Sequence, residues 1–203
     1  MRWPRIIFLT LILLIVGGFL NYTLPDRQVV RIVDTETRRV DFSNFNRMFY
    51  GAGDSGGPTR TDSREIWFIQ SIDANGRTRV FRNEDTGLFG WPPYLKTRSQ
   101  DLQTEAADLA STEANPRWVV VTHYGWRSNW LSVYPNAVAI REVDSPDVSL
   151  FPWLNIIILG VIALILFALW RLWERFEARV IDPVVDGIAV RWAKMRDWFA
   201  GRS

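Results

Sequence analysis

Residues 150–170, LFPWLNIIILGVIALILFALW, decide the architecture, because these twenty-one positions hold no charge and Asn155 is their one strongly polar side chain. As an α-helix rising 1.5 Å per residue, such a run reaches about 31 Å, the depth of a bilayer's hydrocarbon core. The run predicts a transmembrane helix over 150–171, and the chain is read outward from it. A second run, IIFLTLILLIVGGFL at 6–20, follows Arg2 and Arg5. A basic start and a short apolar core also describe a cleaved signal peptide. The residues that follow, NYTLPDRQ, lack the small-x-small cleavage pattern, and extension through Leu24 lengthens the helix to about 28 Å. The reading is an uncleaved transmembrane anchor over 6–24.

Two spans place both termini on one side, and basic residues choose the side. Arg2 and Arg5 precede the first span, and Arg171, Arg175 and Arg179 follow the second. The positive-inside bias then predicts a cytoplasmic N-terminus (1–5), a periplasmic domain (25–148) and a cytoplasmic tail (172–203) of a bacterial inner-membrane protein. Residues 23–148 carry fifteen basic and seventeen acidic side chains, so the chain's formal charge of +2 comes from its ends. It marks orientation and gives no nucleic-acid footprint. Trp3, Trp153, Trp170 and Trp173 fall at the ends of the spans, and Trp192 lies in the tail; such indoles suit the headgroup layer. The chain has no cysteine, which excludes disulfides, thiolate catalysis and cysteine-bound metal.

The central 125 or so residues suffice for one core. RQVVRIV (27–33) alternates as a strand. EIWFIQSID (65–73) and RTRVFRN (77–83), joined through Ala74-Asn75-Gly76, predict a hairpin. In SQDLQTEAADLASTE (99–113), Leu102, Ala106 and Leu109 recur at helical spacing, with Ser99 read as the N-cap. RWVVVTHY (117–124) and NAVAIREV (136–143) supply two more strands. The expectation is an α+β domain with a small, mostly antiparallel sheet and one helix, in the element order of an OB-like barrel, between two transmembrane helices and followed by a C-terminal amphipathic helix.

GAGDSGGPTR (51–60) carries the string that surrounds the nucleophile of trypsin-like proteases, and Gly51, Gly53 and Gly56 share the G-x-G-x-x-G spacing of a nucleotide-binding turn. A hydrolase would need Ser55 to meet His123, the chain's single histidine. The chain order is the reverse of the trypsin-like one, and the domain is far smaller than their two-barrel body. A nucleotide turn needs a strand before it and a helix after it, whereas Pro58 and TRTDS follow here. Gly51–Ser63 is therefore read as a loop.

Two segments are dense in large and polar side chains: RNEDTG running into FGWPPY, and THYGWR. Glu84, Asp85, Trp91, His123 and Arg127 are the candidate lining of a pocket for a polar ligand such as a glycan or lipid headgroup. The bland reading has Glu84 and Asp85 accepting loop backbone donors, while Trp91, Tyr94, Trp118, Trp126 and Trp130 build the core. Metal binding finds no second His or Cys to complete a site, and no cofactor is expected.

The runs RNEDTGLFGWPPYLKTRSQDLQTEA and WVVVTHYGWRSNWLSVYPNAVAIREV resemble the bacterial domain of unknown function 1523 family, small envelope proteins with an N-terminal hydrophobic segment. The resemblance covers most of residues 20–143. The family has no assigned activity, so no functional residue carries over. Beyond Asp147 the reading rests on physical argument alone. Asp182-Pro183 reads as an N-cap and first helical position after a kink, and Val185, Ile188, Trp192, Met195 and Phe199 share one face of the helix they begin. That face suits a membrane surface or a partner helix. Gly17, Gly18, Gly160 and Ala163 offer close helix approach within the bilayer. The expected role is a non-catalytic periplasmic interaction domain of a membrane or envelope complex, with the lipid bilayer and a membrane or envelope protein as partners.

Overall fold

The computed structural model describes residues 3–43, 45–51, 63–87 and 92–201. The chain divides into two compact units, Met1–Pro152 and Trp153–Ser203. The first opens with helix α1, Trp3–Thr23, whose apolar side chains from Ile6 to Phe19 stand largely exposed. Its last turn closes with Leu24 N–H donating to the Leu20 carbonyl at 2.8 Å. Pro25 follows, and a residue before proline is driven out of the helical region, so the chain turns at once into a strand.

Five strands and one helix make the remainder: β1 (Asp26–Asp41), β2 (Ser63–Asp73), β3 (Thr78–Asn83), α2 (Ser99–Asp108), β4 (Trp118–Tyr124) and β5 (Asn136–Val143). The strands pair in the closed order β1-β2-β3-β5-β4. β1 is more than twice as long as its sequence pattern suggests. Its first part, Asp26–Arg31, pairs with β4, and Val30–Asp41 pairs with β2. The register slips between Ile32 and Asp34, leaving Val33 as the extra residue of a bulge, and bulges bend a strand so that one segment can serve two neighbours. The other pairings are antiparallel except at the seam between β3 and β5, where Arg82 and Asn136 form a single parallel pair.

The hairpin between β2 and β3 turns at Asn75-Gly76, as the sequence predicts. Gly76 takes φ +75°, and the Asp73 carboxylate accepts the backbone N–H groups of Asn75 and Arg77, each at 2.9 Å. Those bonds, with the Arg77 N–H first, hold the Asp73 carboxyl below its ordinary range.

Helix α2 seats Leu102 and Ala106 against a core of Val30, Ile32, Ile69, Phe81, Val119, Val121, Ala137 and Ile140, and Leu109 joins them just past the helix end. Successive side chains on a strand point to opposite faces, so alternate residues of β1 and β4 reach one interior. A second cluster packs Val40, Tyr50, Ile66 and Phe68 with Phe42, Val80 and Tyr134.

Three expectations change here. The helix ends at Asp108 rather than 113, and Ser111 N–H instead donates to the Ile32 carbonyl at 3.0 Å, tying the following segment to β1. Ser99 is the first helical residue and not the N-cap; Arg98 holds that position, and the Asp85 carboxylate accepts the Ser99 N–H at 2.9 Å from outside the helix. A carboxylate there satisfies an orphan donor and faces the positive end of the helix dipole. Three of the tryptophans read as core are not in it: Trp130 is 98% exposed, Trp126 is also exposed and Trp118 is half-buried.

The second unit is helical from Trp153 to Ala200: α3 (Trp153–Phe176), a π-helical turn (Glu177–Ile181) and α4 (Asp182–Ala200). The sequence suggests a fresh start at Asp182-Pro183. In the structure the helix runs on through the wider turn, which lies where the ring of Pro183 would otherwise crowd the carbonyl four residues earlier, that of Arg179. Trp3, Trp153, Trp170, Trp173 and Trp192 all present exposed indoles. Two helical stretches, Ile6–Thr23 and Trp153–Ile181, are long and apolar enough to cross a membrane.

Candidate functional site

Two groups of polar residues stand out among the described residues of the barrel. One lies at the seam between β3 and β5. A six-residue β3 reaches β5 at only one backbone position, so side chains continue the ladder. Asn136 Oδ1 accepts the Glu84 N–H, and Asn136 Nδ2 donates to the Glu84 carbonyl, both at 3.0 Å. The carboxamide thus bonds Glu84 as a neighbouring strand's peptide group would. Nδ2 also donates to the Tyr124 hydroxyl at 3.0 Å.

Alternation along the extended chain after β3 sends successive side chains in opposite directions. Arg82 points inward with 1% exposure, donates from Nη1 to Glu84 Oε2 at 3.0 Å, and lies over the Tyr50 ring at 4.8 Å. Arg64, on β2, pairs with the other oxygen of Glu84, so one carboxylate answers two guanidinium groups. Asn83 donates to the Ser99 carbonyl and to Gln103 Oε1, each at 2.8 Å, fastening α2 to the strand. Asp85 takes the helix N-terminus, as described.

Lys96 completes this seam from the loop before α2. Leu95 adopts φ +53°, a left-handed turn rare for a branched side chain, and Lys96 follows it into the interior. Its Nζ donates to Asn83 Oδ1 at 2.5 Å and to the Ala137 carbonyl at 2.6 Å. Burial lowers its pKa from 10.5 to about 7, against the opposing pull of Asp85 and Glu84. Gly51, the first glycine of the G-x-G-x-x-G spacing, belongs here too. A Cβ at Gly51 would lie 2.9 Å from the Asp85 carbonyl oxygen, and its own carbonyl accepts Arg64 Nη1 at 3.1 Å. Close backbone packing, rather than a phosphate, accounts for the glycine at this position. Ser55 and the rest of the motif lie outside the described residues.

The second place is a cleft of about 350 Å³ lined by Asp26, Arg27 and Gln28 at the start of β1, Thr78–Phe81 of β3, His123 at the end of β4, and Gly125, Arg127 and Pro135 of the β4–β5 loop. His123 packs against the Phe81 ring, centroids 5.0 Å apart, and its Nδ1 has no hydrogen-bond partner among the described residues. Burial lowers its pKa, with Asp26 opposing and Arg79 adding to the shift, so the ring is neutral at neutral pH. Arg79 is answered by Asp73 at 3.2 Å, while Arg27 and Arg127 meet no carboxylate among the described residues. Arg127, an exposed residue, lies with its guanidinium over the Tyr134 ring at 3.9 Å.

Of the residues the sequence nominates, His123 and Arg127 line this cleft, whereas Glu84 and Asp85 are engaged at the seam. Trp91 lies outside the described residues. The sequence reading passed over Arg82, Asn83, Lys96 and Asn136. Asn83 and Asn136 carry one available signal, a carboxamide at the end of one strand and at the start of another, but Asn136 meets Glu84 across 52 positions, which leaves no local pattern.

The end of α1 is built into the same unit. Tyr22 meets Phe49, Tyr124 and Trp126 with ring centroids 5.7, 6.3 and 5.3 Å away. The Tyr22 carbonyl accepts the Gly125 N–H at 3.0 Å, Asn21 Oδ1 accepts Trp126 Nε1 at 2.8 Å, and the Thr23 carbonyl accepts the Tyr94 hydroxyl at 2.7 Å.

Residues 1–177 match the family described as "Protein of unknown function (DUF1523)". The match takes in α1 and all of α3, well beyond residues 20–143. An uncharacterized protein of Haemophilus influenzae is 30% identical over 154 residues, covering 72% of this chain and 82% of that relative. No solved structure matches the chain.

Proposed function

The chain belongs to the DUF1523 family, whose function is unknown, and from that premise we propose that it is a two-span inner-membrane protein holding a non-catalytic, periplasmic binding domain at the bilayer surface, as an accessory component of a membrane or envelope complex. The observation that carries this reading is the union of α1 with the barrel. Tyr22 and Asn21, in the last turn of α1, and Thr23 at its end bond and pack against Tyr94, Tyr124, Gly125 and Trp126. Removing residues 1–20 as a signal peptide would cut this helix directly before Asn21, the first of its contacts, and leave its last turn without the helix that precedes it. A retained helix with exposed apolar side chains is stable where lipid replaces water around it.

The five-strand order, the helix between β3 and β4, and the parallel β3–β5 contact support an OB-type barrel. In such barrels the β4–β5 loop commonly borders a binding face, and here that loop supplies Arg127 and the exposed Trp130. The fold analogy indicates a place and leaves the ligand open.

The intact mass of the purified protein tests the anchor: a chain retaining its N-terminal residues is expected, and a product beginning after residue 20 would refute it. Protease added to intact spheroplasts is expected to digest the central domain and spare the tail after 172; a digested tail would invert or remove the topology. Purification in mild detergent is expected to bring a membrane or envelope protein along, and a chain that always migrates alone would overturn the accessory role.

A further inference from the structure

We infer that the cleft between the start of β1, β3 and the β4–β5 loop binds the phosphate of an anionic phospholipid headgroup in the leaflet that α1 enters. This deepens the binding-domain reading and rests on α1 spanning the membrane.

Position is the first argument. Asp26 and Arg27, which line the cleft, come three and four residues after the end of α1 at Thr23. A chain advances at most about 3.3–3.6 Å per residue, so the backbone of these residues stands within about 14 Å of the helix end. The 21 residues of α1 span about 31 Å, which brings that end to the headgroup layer.

Chemistry is the second. Arg27, Arg79 and Arg127 line the cleft with one carboxylate, Asp26, and Asp73 answers only Arg79. The Asp26 carboxylate accepts its neighbour's backbone, the Arg27 N–H, at 2.8 Å. Arg27 and Arg127 keep guanidinium forks with no carboxylate among the described residues, and a fork matches two oxygens of a phosphate. Neutral His123 adds Nδ1, a polar nitrogen on a side chain only 8% exposed and without a partner among the described residues. A protonated Nδ1 would donate to a phosphate oxygen.

The loop that carries Arg127 supplies the third argument. Trp126 and Leu131 are exposed and Trp130 is 98% exposed, in a segment whose Gly125 and Trp126 are bonded to the last turn of α1. Indoles at that level partition into the interface of a bilayer, which would bring a headgroup to the cleft's mouth. A freely soluble anion would leave these side chains unexplained.

The test uses the full chain in a neutral detergent, with bound lipid counted by native mass spectrometry. Phosphatidylglycerol is expected to be retained at one molecule per chain, and diacylglycerol, which lacks the phosphate, to be retained about tenfold less. Arg27→Gln with Arg127→Gln is expected to weaken retention about tenfold or more, while Arg98→Gln with Arg141→Gln, the same charge change elsewhere, changes it less than about twofold. Arg127→Lys, which keeps charge and removes the fork, is expected to fall between and covers the case of a double variant that melts early. Equal retention by both double variants, or diacylglycerol held as well as phosphatidylglycerol, would overturn the site. Displacement by glycerol 3-phosphate at concentrations matching the lipid would assign the cleft to a soluble anion and overturn the headgroup. The intact mass separates the two levels: a chain that keeps residues 1–20 yet shows no lipid preference fails this inference alone, and a truncated chain fails the anchor.

Discussion

The seam and the cleft lie in the same barrel and are both rich in arginine, yet their charges stand differently. At the seam Glu84 answers Arg82 and Arg64, Lys96 lies between two acceptor oxygens, and Asn136 spends its carboxamide on three partners. In the cleft two guanidinium groups have no carboxylate and a buried imidazole nitrogen has no partner among the described residues. Burying a charge is costly unless it is paired, so a paired set beneath the surface is architecture. Cations left unpaired at an opening carry no such burial cost and are free to recruit a ligand. The comparison therefore assigns the roles that residue type alone would have confused.

The largest effect should come from Glu84→Gln, which leaves Arg82 buried without its carboxylate. A loss of about 3–5 kcal/mol is expected in denaturant unfolding of the solubilised full chain. A change below about 1 kcal/mol would mean the seam is not held by its ion pairs. Asn136→Ala strips the Glu84 N–H, the Glu84 carbonyl and the Tyr124 hydroxyl of a partner. About 2–4 kcal/mol is expected, with amide hydrogen exchange rising at Glu84, just past β3, before it rises within the strand.

Lys96 supplies a pH test whose sign is set by burial. Its pKa falls from 10.5 to about 7 on folding, so between those values the unfolded chain binds more protons. Stability from this group therefore rises as pH is raised from about 7 toward 10.5, by up to about 1.4 kcal/mol per pH unit, and is lost as pH falls through the folded value. Lys96→Met should flatten that slope in melts recorded from pH 7 to about 9. An unchanged slope would place the proton elsewhere.

The smallest effect on stability should come from the cleft. Arg127→Gln loses the guanidinium of an exposed residue and its contact with Tyr134, and is expected to shift unfolding by less than about 1 kcal/mol while weakening anion binding. A destabilisation comparable to that of Glu84→Gln would erase the distinction between the two sites.

Much of this fold is legible along the chain because its signals are local. The strands at 136–143 and 118–124 and the Asn75-Gly76 hairpin appear where apolar alternation and turn chemistry place them. The long β1 is less legible, since its second half, TETRRVD, is mostly polar and exposed, with Val40 alone buried against Ile66 and Phe68 of β2. Glu84 and Asp85 look like one acidic site in sequence, but extended backbone turns neighbours to opposite sides and divides them between ion pair and helix cap. Of the nominated site residues that the structure describes, His123 and Arg127 share a cleft, and they lie four positions apart.

Sequence by itself determined the two apolar helices, the succession of strands and helix along the chain and the absence of cysteine chemistry, because each is a property of composition or of short-range period. Tertiary structure alone decided that Asn136 completes the ladder of β3, that Asp85 caps α2, that Tyr22 binds the first helix to the barrel, and that Arg27 and Arg127 face one opening. Those outcomes depend on partners distant in the chain, where nothing but closure of the sheet brings the groups within bonding distance.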